Sequence, residues 1–155
     1  AIRLGADAVV ATVWFGTVKE NECIEAFGEL ADECDRYGIP LIGESLICGD
    51  GGLDPRGERE NIIAARTLSE EGADIVKTIY TGTPQSFQKV VDYCLVPVVT
   101  AGGDNSENMM KVGAIGTSIG RNIWNRQNYI DVLNAVHEII KNGISAEDAY
   151  NSLLK

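Results

Sequence analysis

Short apolar runs alternate along this chain with segments whose apolar residues recur at helical intervals. The apolar runs occupy residues 6–15, 39–47, 75–80, 96–101 and 115–119. The helical patterns occupy residues 19–37, 58–71, 84–93, 104–112, 129–141 and 145–154. Nearly continuous apolar runs are typical of a parallel sheet that is covered on both faces. The sequence therefore predicts one α/β domain over residues 1–155, with five parallel strands and six helices.

Two architectures fit this alternation, an open doubly wound sheet and part of a (βα)₈ barrel. An open sheet gathers its site at one switch point, whereas a barrel brings the carboxyl end of every strand to one axis. Here polar residues, aromatic residues or glycines end each strand: Trp14 and Gly16, Glu44, Lys77 and Tyr80, Gly102 and Gly103, Gly120 and Arg121. The glycine motifs that bind nucleotides in open sheets are missing. The pattern favours the (βα)₈ barrel.

Lys77 stands in the middle of an apolar run, residues 72–82, that reads as a buried strand. Burying an unpaired ammonium is costly, so a partner must neutralise Lys77 or its pKa must fall. A lowered pKa is what an amine needs to form a Schiff base. Lys77 is therefore a candidate catalytic residue, and the alternative is a lysine that points to solvent or pairs with a carboxylate.

Glycines end the last two predicted strands. Gly102 and Gly103 follow one strand, and Gly120 and Arg121 follow the next. Backbone N–H groups approach an anion closely only where side chains are absent, and barrels often bind phosphate after their last two strands. Arg121 could add a bidentate contact. These residues are candidates for phosphate binding, and the alternative is that they are turn residues beside an arginine that pairs at the surface.

Charge and composition narrow the partners. With 13 basic and 23 acidic residues the net charge is −10, which argues against nucleic acid. The sequence has neither an apolar stretch long enough to span a membrane nor a leader-like start. Its four cysteines include no C-x-x-C pair, and its one histidine offers no metal cluster. We expect a cytoplasmic protein without cofactor or metal that binds a small phosphorylated molecule.

Several motifs resemble a known family. They are GADAV, GIPL, AAR-x-x-x-E-x-GADIVKT-x-YTG-x-x-x-SF, VPVV-x-AGG and G-x-x-x-GRNIW. Together they resemble the archaeal-type class I fructose-bisphosphate aldolases, within the class I aldolases that include deoxyribose-phosphate aldolase. The resemblance runs from residue 4 to about residue 135 and corresponds to barrel strands four to eight. It implies a lyase in which Lys77 forms the Schiff base, while Gly102, Gly103, Gly120 and Arg121 hold the substrate phosphate.

The chain departs from the family after the predicted fifth barrel strand. The family usually carries a Y-P-R-G loop there, whose tyrosine transfers protons, whereas residues 46–49 read L-I-C-G. A thiolase-like branch that acts on a phosphorylated dione also lacks this loop, so a thiolase or transferase is the alternative. Glu44 could supply a carboxylate instead. Trp14 and Tyr80 are further candidate pocket residues, although strict alternation places Tyr80 opposite Lys77.

Five strands cannot close a barrel, so the sheet should leave two edges and an apolar inner face exposed. We therefore expect a homo-oligomer, a fragment, or a partial barrel that another copy completes. The competing functional hypothesis is a catalytically inactive subunit that binds phosphate or serves only in assembly.

Overall fold

The computed structural model describes residues 1–49, 52–102 and 106–153. Its five strands are β1 (Val9–Phe15), β2 (Leu41–Ile47), β3 (Ile75–Ile79), β4 (Val98–Ala101) and β5 (Gly116–Ser118). Its helices are α1 (Glu20–Tyr37), α2 (Glu58–Glu70), α3 (Pro84–Tyr93), α4 (Ser106–Lys111), α5 (Arg121–Trp124), α6 (Tyr129–Asn142) and α7 (Ala146–Leu153), after a 3₁₀ turn at Ile2–Leu4. All five predicted strands and six predicted helices are present. The short α5 was not predicted, because only Gly120 marks its start.

The strands form one parallel sheet in the order β1-β2-β3-β4-β5. Each strand pairs with the next one in sequence, and a helix or a loop with a helix returns the chain to the same end of the sheet. This simple order is that of consecutive βα units in a (βα)₈ barrel. Neither β1 nor β5 has a second neighbour among the described residues, so the five-stranded sheet is a partial barrel with two free edges.

One face of the sheet forms the hydrophobic core with the helices. Every second residue of β2 is buried, beginning with Leu41, and β3 buries Val76 between two partly exposed residues. These side chains pack with Phe87 and Val90 of α3 and with Leu68 of α2, all of which are fully buried. Gly43 on this face leaves room for the ring of Phe27, which a Cβ would approach to 2.9 Å.

The other face lies open. Val10 and Trp14 of β1 are 55% and 48% exposed, although both are large apolar residues. Among the described residues the buried core includes side chains from the helix-covered face only. This exposed apolar face agrees with the expectation for five strands that cannot close a barrel. The open face is the one that would line the inside of a closed barrel.

Candidate active site

Lys77 lies at the centre of β3, and alternation along the strand puts its side chain on the open face. Its neighbours Val76 and Thr78 are fully buried on the opposite face. In the parallel register, Lys77 is paired with Glu44 of β2 on one side and with Val99 of β4 on the other. The lysine therefore stands in the middle of the sheet, where a substrate could approach it without displacing a helix.

Glu44 is the partner of Lys77. Its Oε1 lies 2.6 Å from the Lys77 Nζ, and the two side chains are only 18% and 17% exposed. Such limited exposure means that solvent screens this ion pair less than it screens pairs on the surface. Of the two ways to bury a lysine, the structure shows neutralisation by a partner. It also brings one of the candidate pocket residues into direct contact with the candidate nucleophile.

Thr12 completes a polar row across three strands. It is paired with Glu44 in the register of β1 and β2, and its Oγ1 donates a hydrogen bond of 3.0 Å to Glu44 Oε2. Both carboxylate oxygens thus have a partner, which holds Glu44 against Lys77. The sequence analysis missed Thr12. The sequence feature that could have identified Thr12 is a hydroxyl side chain in an otherwise apolar strand, in alternation with Val10 and Trp14.

Trp14 and Leu46 occupy the next open-face positions toward the carboxyl ends of their strands. They are paired with each other in the register of β1 and β2, two residues beyond Thr12 and Glu44. Trp14 is thus placed where it can line a pocket above the ion pair. Leu46 stands where the resembled family usually has its tyrosine, so this position carries no group that transfers protons.

The two glycine segments follow neighbouring strands at the carboxyl end of the sheet. Ala101 and Ser118, the last residues of β4 and β5, are paired, so Gly102 and Gly120 both lie just beyond the carboxyl end of the sheet. Gly102 has a φ of 83°, and its space is open, because a Cβ there would meet no atom within 4 Å. Gly103 lies outside the described residues. Arg121, the first residue of α5, is exposed.

Tyr80 lies on the covered face, as strict alternation predicted, and not beside Lys77. It is 8% exposed, and its ring packs against Phe87 with centroids 5.5 Å apart. Burial raises the pKa of its hydroxyl. Tyr80 is a core residue in this structure, and its placement does not support the candidate pocket role.

One acidic cleft is remote from Lys77. It has a volume of about 870 Å³ and lies between α1 and α2, near the start of β2 and β3. Its lining includes seven carboxylates: Glu25, Glu29, Asp32, Asp35, Glu70, Glu71 and Asp74. Within residues 1–49, 52–102 and 106–153, three or more His, Cys, Asp or Glu side chains are nowhere grouped to hold a metal ion. In the same ranges, none of the helices has the length and apolar character needed to cross a bilayer.

The sheet has the order of consecutive βα units of a (βα)₈ barrel, and its open face carries a lysine, a residue type that can form Schiff bases with carbonyl compounds. Residues 1–126 match the family described as DeoC/LacD family aldolase. The chain belongs to this family, which confirms the relationship inferred from the motifs.

Curated relatives extend the comparison. The chain is 38% identical over 157 residues to 2-amino-3,7-dideoxy-D-threo-hept-6-ulosonate synthase 1 of Archaeoglobus fulgidus, covering 96% of this chain and 58% of that protein. It is 33% identical over 163 residues to 3-hydroxy-5-phosphonooxypentane-2,4-dione thiolase of Yersinia enterocolitica, covering 99% of this chain and 54% of that protein. The chain thus spans little more than half the length of these relatives.

Solved structures agree on the fold. An archaeal fructose 1,6-bisphosphate aldolase superimposes with a TM-score of 0.83 at 29% identity, and a Schiff base forming fructose-1,6-bisphosphate aldolase with a TM-score of 0.80 at 30% identity. In both comparisons 90% of this chain and 60% of the other chain are covered. The five-stranded sheet is thus similar to part of an aldolase barrel.

Proposed function

We propose that this protein is a class I aldolase that forms a Schiff base between Lys77 and a phosphorylated ketone. The observation that carries the proposal is the Lys77–Glu44 pair, which lies on the open face of a sheet from an aldolase family. An ion pair with a purely structural role could equally lie on the covered face. On the open face, the amine is beside both a carboxylate and the space for a substrate.

The proposed chemistry begins when Lys77 gives a proton to Glu44 and its free amine adds to the carbonyl carbon of the substrate. The carbinolamine then takes up a proton at oxygen and loses water, which leaves a protonated imine. A base then removes the proton of the hydroxyl on the β carbon, the bond between the α and β carbons breaks, and the β carbon leaves as an aldehyde while the electron pair of the bond moves to the protonated imine and forms an enamine. Protonation of the enamine carbon and hydrolysis of the imine return Lys77.

Glu44 is the acid and base that the proposed steps require. Its Oε1 is within hydrogen-bond distance of the amine, which is the geometric condition for proton transfer. Thr12 holds the second carboxylate oxygen and thus limits rotation of the group. In this proposal, Glu44 takes over the proton transfer for which position 46 has no tyrosine.

The substrate phosphate is assigned to the carboxyl end of β4 and β5. Gly102 has free space around its Cα, and the exposed Arg121 follows Gly120 at the same edge of the sheet. A backbone donor and a guanidinium together suit a phosphate. Gly103 is assigned to this site from the sequence alone.

Leu46 also favours a second candidate function, that of a thiolase or transferase on a phosphorylated dione. A relative at 33% identity is described as such a thiolase, and another at 38% identity as a synthase of a dideoxy heptulosonate. All of these reactions require a nucleophile and a proton carrier at a carbonyl compound. The same pair, Lys77 and Glu44, could supply them.

Borohydride trapping tests the proposal. The full-length protein, incubated with dihydroxyacetone phosphate and then with borohydride, should gain a reduced adduct on the peptide that contains Lys77. Lys77→Arg is the matched control, because arginine keeps the positive charge beside Glu44 but cannot form the imine. A parent protein that forms no adduct with this ketone or with a phosphorylated dione would favour the inactive subunit.

We also propose that the open face is covered in the assembled protein, either by further βα units or by a second copy in a homo-oligomer. The support is the exposure of Val10 and Trp14 and the two free strand edges. Light scattering on residues 1–155 tests this. A monodisperse monomer that unfolds cooperatively would contradict it. The four unpaired cysteines support a proposed cytoplasmic location.

A further inference from the structure

Asn61 is a fully buried amide on α2, behind the strand that carries Lys77. Its Nδ2 donates hydrogen bonds of 3.1 and 2.8 Å to the carbonyl oxygens of Pro55 and Gly57. Its Oδ1 accepts a hydrogen bond of 3.0 Å from Thr78 Oγ1. Neither the sequence motifs nor the proposed chemistry uses this residue, although it satisfies both ends of its amide inside the core.

The partners determine which way the amide faces. Carbonyl oxygens can only accept, so the NH₂ group must face Pro55 and Gly57, and the oxygen must face the hydroxyl of Thr78. Asn61 therefore joins two parts of the chain that share no other hydrogen bond among the described residues. On one side is the loop that precedes α2, and on the other is β3.

Both ends of this connection are close to the candidate active site. Thr78 directly follows Lys77 and points to the opposite face of β3. The loop follows β2, the strand of Glu44, and its Leu53 packs against the turn after β1. A Cβ on Gly16 of that turn would come within 2.7 Å of Leu53 Cδ1, and the φ of 77° also favours glycine there.

We propose that Asn61 is a positioning residue, which holds the loop of residues 52–57 against the covered face of β3. The loop then keeps a fixed position relative to the Lys77 amine at the entrance to the candidate active site. This inference rests on the proposed function of Lys77. The loop extends from the carboxyl end of β2, and (βα)₈ barrels bind their substrates at that end of the sheet, so we expect a substrate that reaches Lys77 to pass beside the loop. A loop that is tied to β3 keeps that passage in one geometry, which lowers the cost of ordering it when substrate binds.

Thr78→Val removes the tie and keeps the shape of the side chain. The matched control is Thr100→Val. Thr100 is paired with Thr78 on the next strand, is equally buried, and its Oγ1 has no hydrogen-bond partner among the described residues. Thr78→Ser restores the hydroxyl and should restore the parent behaviour. Asn61→Ala removes the tie from the other side, and if it does not fold, the Thr78 variants still decide.

Two readouts separate the inference from the function on which it rests. The first is trypsin cleavage after the exposed Arg56 in the loop, which needs no activity. The second is the rate of borohydride trapping as a function of dihydroxyacetone phosphate concentration, in the full-length protein. A purely structural defect would lower the amount of adduct, whereas a misplaced loop should raise the half-saturating concentration.

For Thr78→Val and Asn61→Ala we expect cleavage about tenfold faster and a half-saturating concentration several-fold higher, since each leaves a buried group unpaired. Thr100→Val and Thr78→Ser should stay within about twofold of the parent on the same grounds. Equal cleavage and equal saturation in Thr78→Val and Thr100→Val would overturn the inference while the function stands. If the parent traps no ketone, the function fails, and cleavage alone then decides whether the tie exists.

Discussion

The two faces of β3 and its neighbours carry two polar rows of opposite character. On the open face, Thr12, Glu44 and Lys77 lie side by side, with a charged pair and a hydroxyl in one hydrogen-bonded row. On the covered face, Ser45, Thr78 and Thr100 are uncharged and fully buried. Residues one position apart in the sequence therefore have separate tasks.

The difference shows how a parallel barrel divides its strands. On the covered face, the polar side chains are uncharged: Thr78 is paired with Asn61, whereas the hydroxyls of Ser45 and Thr100 have no hydrogen-bond partner among the described residues. On the open face, a polar side chain keeps access to a ligand, so a charge is tolerated if it is paired. We therefore expect substitutions on the open face to affect chemistry and those on the covered face to affect stability.

Glu44→Gln should have the largest effect on the open face. Glutamine has nearly the same shape but cannot accept the proton of Lys77, so the trapping rate should fall by roughly 10²- to 10⁴-fold, the range for general acid–base catalysis. Stopped reactions with borohydride measure this rate. Thr12→Val is the graded control, because it removes only the support of the carboxylate and should cost less. An unchanged rate in Glu44→Gln would leave the pair a structural feature.

Phe87→Ala should have the largest effect on the covered face. Phe87 of α3 is fully buried in the core, and removal of a buried phenylalanine ring costs about 3–5 kcal/mol of unfolding free energy. Trp14→Ala, on the open face, is the control. Trp14 is half exposed, so its loss should cost less than half as much. Urea denaturation measures both values, and equal losses would break the comparison between the faces.

Arg121→Ala tests whether the carboxyl end of the open face binds phosphate. Loss of a hydrogen bond to a charged group should weaken binding of a keto-phosphate by about 1.5–3 kcal/mol, as measured by calorimetry. Arg126→Ala is the control, because Arg126 is also exposed but donates to the Asn122 carbonyl four residues earlier in the sequence. Equal affinity in the parent and in Arg121→Ala would remove the phosphate assignment and leave the lysine.

Tyr80→Phe should have the smallest effect, visible only in alkaline solution. Burial raises the pKa of Tyr80, so above pH 10 the unfolded chain loses its proton first and the unfolding free energy falls as the pH rises. In Tyr80→Phe, the fall in unfolding free energy should be smaller by up to about 1.4 kcal/mol per pH unit. Tyr93→Phe, at an exposed tyrosine, is the control. Burial also raises the pKa values of Cys34 and Cys94, but their effect is common to all three proteins.

Much of the fold was predictable because local patterns determine it. The apolar runs and helical repeats identified all five strands, and the predicted helices over residues 19–37 and 84–93 agree with α1 and α3 to within one residue at each end. The barrel family followed from motifs around Lys77. The exposure of one sheet face followed from the number of strands and not from the apolar runs, since an apolar strand looks the same whether a helix or another part of a barrel covers it.

By itself, the sequence determined the order of strands and helices, the lysine in the third strand and the alternation that puts Tyr80 opposite to it. Only the tertiary structure decided that Glu44 and Thr12 complete a row with Lys77, and that Asn61 ties a loop to Thr78. These contacts join residues 17 to 33 positions apart. The physical reason is that such contacts depend on the register between strands and on how a helix packs over them, which local periodicity does not specify.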